Sequence, residues 1–161
     1  MPEFILDHGS AETAKQFAAL DSFTQGYIEA MFFTDEERLC EGWRALSMDC
    51  ALFQTANAAL LDEAYGRDYD AEQAGRDFWY TRNGHGVGFW DREELKLDSA
   101  EYEALTAEMV AAGYDSAAWN AALAKRKVIQ ADSLGERLST AARAFHSVDS
   151  YVGDDGKVYL A

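Results

Sequence analysis

The residues best able to do chemistry are gathered in DFWYTRNGHGVGFWDR, Asp77 to Arg92. His85 is the candidate general base, with Asp77, Asp91 or Arg82 as its candidate partner. A base needs a fixed partner and a setting that holds its geometry. Asn83-Gly84 is instead a strong two-residue turn signal between the aromatic runs FWYTR and VGFWD. Registered on that turn, His85 faces Arg82, which offers the imidazole no acid. The stretch is therefore read as structural or partner-binding, and no catalytic residue is assigned. Gly84, Gly86 and Gly88 are explained by backbone needs: positive φ in the turn, then close approach beside large aromatics. GHGVG is not a phosphate cradle, because a strand pattern follows it where such a loop requires a helix.

Other chemistry-bearing residues are scattered. Asp154 and Asp155 sit in VGDDGK, which lacks the alternating ligands and terminal glutamate of a calcium loop and reads as a turn. Cys40 and Cys50 lie in helical patterns without a histidine nearby, so they read as buried thiols in a reducing compartment. His8 and His146 are isolated, and no serine stands in a nucleophile elbow. Asn57 reads as a satisfied amide on an apolar stripe. The expectation is no metal and no cofactor.

The elements that must position these residues follow from periodicity. AETAKQFAALDSFTQGYIEAMFFTD spaces Phe17, Leu20, Phe23, Tyr27, Ile28, Met31 and Phe32 as an amphipathic helix that Asp21 or Ser22 divides in two by capping the second part. Thr34 and Glu37 have capping-box spacing for a further helix. SMDCALFQTANAALLDEAYG puts Cys50, Phe53, Asn57, Leu60 and Ala64 on one stripe, ended by Gly66. Residues 67–76 read as a polar connector with a short helical turn after Asp70. Asp98 and Glu101 open a helix closed by Gly113, and DSAAWNAALAKRK follows with Lys125, Arg126 and Lys127 in its last turn. DSLGERLSTAARAFHS is the last helix, ahead of a second hairpin turning on Asp155-Gly156. The predicted fold is α+β: one mostly helical domain over residues 1–161, with a small antiparallel sheet made of hairpins at 77–92 and 149–160.

Charge narrows the function classes. The chain of 161 residues has 29 acids against 14 bases, a net of -15, with 48% hydrophobic residues, enough to build a core. Residues 1–76 carry a net of -10, residues 77–92 are neutral, and residues 93–161 carry -5. Such a surface repels nucleic acid and anionic membranes and attracts basic proteins. No stretch has the apolar length of a membrane helix, and MPEFILDHGS lacks the basic-then-apolar pattern of a signal peptide. The expected location is the cytoplasm.

Asp77–Arg92, Leu134–Leu138 (LGERL) and Tyr151–Tyr159 (YVGDDGKVY) together resemble a group of small proteins of bacteriophages and related mobile elements. In these, a DFW-x-TRNGHG-x-GFWDR core precedes a helix and a terminal Y-x-GDDG-x-x-Y turn. Residues 93–131 stand as a helical insertion relative to shorter members. The resemblance implies expression inside a bacterial cell and lends no activity or catalytic residue. With the acidic surface, it leads to an expected function: binding and inhibiting a basic nucleic-acid-handling host or defence protein, with partial DNA mimicry. The expected contacts are Asp35, Glu36, Glu37, Glu41, Asp62, Glu63, Asp68, Asp70, Glu72, Glu93 and Glu94 for steering, and Arg82, Asn83 and His85 for short-range specificity. The alternatives are an enzyme or ligand-binding protein with its site at the 77–92 hairpin, and a phage structural or assembly component.

Overall fold

A computed structural model describes residues 11–34, 43–97, 99–152, 154 and 158–160. Among them the order is α1 (Ala11–Ala18), α2 (Ser22–Thr34), α3 (Trp43–Ala56), α4 (Ala58–Tyr65), α5 (Ala71–Asn83), α6 (Ala100–Ala112), α7 (Ala117–Ala131), α8 (Leu134–Arg143), β1 (Ser150–Val152) and β2 (Val158–Leu160). The fold is therefore helical, and the α+β expectation is corrected. Asp77 to Asn83, expected to form a strand and half of a turn, are the last two turns of α5. Phe89–Asp91 and Glu93–Leu95 are single 3-10 turns, not the returning strand. The strand pairing among the described residues is one short antiparallel ribbon, Ser150 opposite Leu160 and Val152 opposite Val158. The expected Asp155-Gly156 turn of that ribbon lies outside the described residues, as do Cys40 and the Thr34–Glu37 capping box beyond Thr34 itself.

Local chemistry explains the breaks. Asp21 opens α2 by accepting the Thr24 amide at 3.0 Å. Gln25, one turn into α2, donates its Nε2 to the Phe17 and Leu20 carbonyls at 3.1 Å each, satisfying the end of α1. The single helix expected over 47–66 is divided at Asn57, whose Nδ2 takes the Phe53 carbonyl at 2.9 Å. Ser99, Ser116 and Ser133 cap α6, α7 and α8 through their hydroxyls. The cap of α6 is thus Ser99 and not Asp98. Because α7 runs on to Ala131, Lys125–Lys127 stand mid-helix and not in its last turn.

The body is centred on the crossing of α2 and α5. Their backbones touch through two glycines: a Cβ on Gly26 would lie 2.0 Å from the Glu72 carbonyl oxygen, and one on Gly75 would lie 1.8 Å from that of Phe23. Around this crossing the aromatic rings of five segments pack, with Phe53 stacked on Phe78 at 4.1 Å and near Phe23, Phe89 and Phe145 at 5.7–5.8 Å. Phe23, Phe53, Phe78 and Phe89 are fully buried, and each contributes about 1.5–3 kcal/mol of transfer free energy. Within the expected insertion, α6 and α7 form a helical hairpin with its own small cluster, Leu105, Met109 and Ala122, flanked by Trp119, Leu123 and Ile129.

Candidate functional site

α5 is capped by Asp70, whose Oδ1 accepts the Gln73 amide at 2.7 Å. It ends on Gly84 at φ 69°, where the Gly84 amide bonds the Thr81 carbonyl and the His85 amide bonds the Tyr80 carbonyl at 3.0 Å. This is a helix stop that requires the left-handed conformation glycine adopts at no cost. Asn83-Gly84 thus ends a helix; it does not turn a hairpin.

The charged groups of the segment point inward. Asp77 is fully buried and accepts four hydrogen bonds: from Arg92 Nε at 2.7 Å and Nη2 at 2.5 Å, from the Tyr69 hydroxyl at 2.6 Å, and from Gln73 Nε2 at 3.1 Å. Its carboxylate is saturated. Burial, and then the adjacent Asp77 carboxylate, hold the Tyr69 phenol far above its ordinary range. The hydrogen bond to Asp77 raises Arg92.

Arg82, 5% exposed, donates Nε to the His146 carbonyl and Nη2 to the Phe145 carbonyl, both at 2.9 Å. Its Nη1 reaches Asp49 at 2.7 Å and the Tyr27 hydroxyl at 3.1 Å. The guanidinium also lies 5.3 Å from the Phe78 ring centroid and 5.8 Å from that of Phe145. Asn83 Oδ1 accepts the Val148 amide at 2.8 Å, and Thr81 Oγ1 accepts the Phe89 amide at 3.2 Å. The Thr-Arg-Asn triplet is a latch: Thr81 holds the first 3-10 turn, and Arg82 and Asn83 hold the chain from the end of α8 toward β1. Gly88 lies so close to Thr81 that a Cβ there would meet its Oγ1 at 2.0 Å.

Arg82 is therefore withdrawn as an exposed contact, and Asn83 is largely committed to the fold. His85 remains exposed, its ring near Trp79 and Tyr80 at 6.2 and 6.1 Å, with no hydrogen-bonded acid among the described residues. Asp91 is exposed and Asp77 is spent on Arg92, so neither serves His85 as an orienting partner.

Of the expected steering acids, Asp35, Glu36, Glu37 and Glu41 lie outside the described residues. Asp62, Glu63, Asp68 and Asp70 are exposed along α4 and its connection to α5, and Glu72 is half-buried beside Arg76. The fold brings this patch to Glu93 and Glu94: Glu63, Glu93 and Glu94 line one cleft of about 590 Å³ between α4, the second 3-10 turn and the start of α8. Arg67, Lys96 and Arg137 also line it, with Glu63 paired to Arg67 at 2.5 Å and Glu93 paired to Lys96. Asp62, Asp68 and Glu94 make no ion pair among the described residues. Asp68, at φ 59°, stands in the left-handed region at the bend before α5.

Reading the sequence missed the cations of this cleft and the partners of Asp77. Gln73 and Asp77 are four residues apart on one face of α5, and that was the available signal; Tyr69 reaches Asp77 from the chain before the helix cap. Among the described residues no three His, Cys, Asp or Glu side chains gather as a metal site, and no helix is long and apolar enough to cross a membrane. Buried Cys50 has its thiol pushed up by burial. Comparison with protein-family models, curated proteins and solved structures gives no match.

Proposed function

We propose that this chain is an acidic interaction protein that binds and inhibits a basic nucleic-acid-handling protein, a host nuclease or defence complex, inside a bacterial cell that expresses it from a phage or plasmid. One observation carries the reading. The charged side chains of the central motif that reach the core are consumed by internal bonds, while acids without an ion pair among the described residues face solvent: Asp62 on α4, Asp68 at the bend before α5, and Glu94 at the cleft. Such a surface steers basic partners by long-range attraction and presents charge where a phosphate backbone would. Of the four residues the enzyme alternative would use, Asp77 and Arg82 are buried in internal bonds, and His85 is exposed without an orienting acid among the described residues.

The test compares the parent with the triple variant Asp62→Asn, Asp68→Asn, Glu94→Gln as bait in bacterial lysate at low and high salt, with mass spectrometry of the retained proteins. The expected result is salt-sensitive retention of a basic nuclease, polymerase or defence subunit, reduced about tenfold in the variant. Equal retention of that protein by both baits would sink the proposal.

A further inference from the structure

Asn83-Gly84, inside the latch, carries a covalent chemistry of its own. An asparagine followed by glycine is the pairing most open to deamidation, because glycine has no side chain to hinder its amide nitrogen or restrict its backbone. In that reaction the Gly84 nitrogen gives up its proton and bonds to Asn83 Cγ, the Cγ–Nδ2 bond breaks, and ammonia leaves. Water then opens the cyclic imide, giving aspartate or isoaspartate.

The closed latch holds the pair away from this course. Asn83 is the last residue of α5 and is half-buried. Its Nδ2 donates to the Trp79 carbonyl at 3.1 Å, and its Oδ1 accepts the Val148 amide at 2.8 Å. The side-chain amide is thus tied at both its oxygen and its nitrogen, while the Gly84 amide turns back to the Thr81 carbonyl at 3.4 Å. Ring closure needs the Asn83 side chain released and the Gly84 nitrogen swung toward it, and both moves undo the end of the helix. The products do not fit the same place. An aspartate sets a carboxylate oxygen against the Trp79 carbonyl, two acceptors where a donor stood. An isoaspartate adds a carbon to the backbone just before Gly84, whose φ of 69° ends the helix.

We propose that Asn83 is a deamidation site gated by the latch: unreactive while Arg82 and Asn83 hold the chain after α8, reactive when they release it, and unable to close again once converted. The modification marks molecules that have opened and removes them from the latched population in one direction. The inference is independent of the partner-binding reading, since its only co-reactant is water.

The test holds the full chain in mildly alkaline buffer, folded or in urea, and follows the tryptic peptide Asn83–Arg92, released by cleavage after Arg82 and Arg92. Chromatography with mass spectrometry separates its asparagine, aspartate and isoaspartate forms. Conversion is expected to be at least about tenfold slower in the folded chain than in urea, because only the opened fraction reacts. Arg82→Lys keeps the charge and the tryptic cut but loses the guanidinium fork that reaches the Phe145 and His146 carbonyls. In buffer without urea it should speed conversion at least about tenfold over the parent, as the opened fraction grows. If that variant does not fold, the parent in rising urea takes its place, and its conversion should climb with the opened fraction. Conversion of the folded parent at the rate seen in urea would overturn the gating, as would a parent-like rate in folded Arg82→Lys or a rate indifferent to urea. Asn83→Asp should unfold at lower urea than the parent, and equal stability would overturn the one-way step.

Discussion

Asp77 and Arg82 sit inside the body with every polar atom of their charged groups engaged, whereas Glu101, Glu103 and Glu108 on α6 point into water with no ion pair among the described residues. The first arrangement stabilises one conformation, because a buried charge demands all of its partners at once. The second asks nothing of the fold and leaves its charge available to another molecule. The body also shares one hydrophobic core across α2, α3, α5 and α8, while the α6–α7 hairpin holds a small cluster of its own. Charge in a sequence thus divides into charge that builds and charge that is shown, and burial separates the two.

The sharpest way to break this comparison is Arg82→Met, which strands the Phe145 and His146 carbonyls and Asp49. It should cost about 3–5 kcal/mol, the usual loss when one partner of a buried charged network is removed, read as the shift in a urea unfolding transition. A loss below about 1 kcal/mol would mean that the latch is dispensable. A smaller effect is expected from Leu105→Ala in the hairpin, about 2 kcal/mol at the low end for a core truncation. Its amide exchange should speed up over residues 100–131 while α2 and α5 keep their protection. Equal acceleration in α2 and α5 would show that the two clusters unfold together. The smallest effect should come from His85→Ala, within about 0.5 kcal/mol as for most surface changes. A larger loss would give His85 a structural role that its exposed ring does not suggest.

The helices outside the central segment were legible in their periodicity and caps: the division at Asp21, the stop at Gly66, and the Ser133–Arg143 helix all stand where apolar spacing and hydroxyl caps put them. The central segment misled because Asn-Gly serves two grammars. The same glycine at positive φ turns a hairpin or ends a helix, and the aromatic run before it favours strands in isolation. Packing decided for the helix: Ala74, Gly75, Phe78, Trp79 and Thr81 are buried, and Gly75 admits α2 at backbone contact. The helical signal was the half-exposed stripe of Glu72, Arg76, Tyr80 and Asn83 at three- and four-residue spacing, split in the sequence between the polar connector and the aromatic run. The candidate site was legible in composition only. Which charged groups the fold consumes depends on partners far along the chain, such as Arg92, 15 residues from Asp77, and Phe145, 63 residues from Arg82.

The Arg82–Phe145 bond closes a loop of 63 residues, and the whole α6–α7 hairpin lies within it. Loop-closure entropy changes by only about 0.6 kcal/mol for each doubling of length. The body therefore feels little difference between a long arm and a short one at this place. The arm between Arg92 and Ser133 can therefore be lengthened, trimmed or exchanged at little entropic cost while the latch and the aromatic core stay as they are.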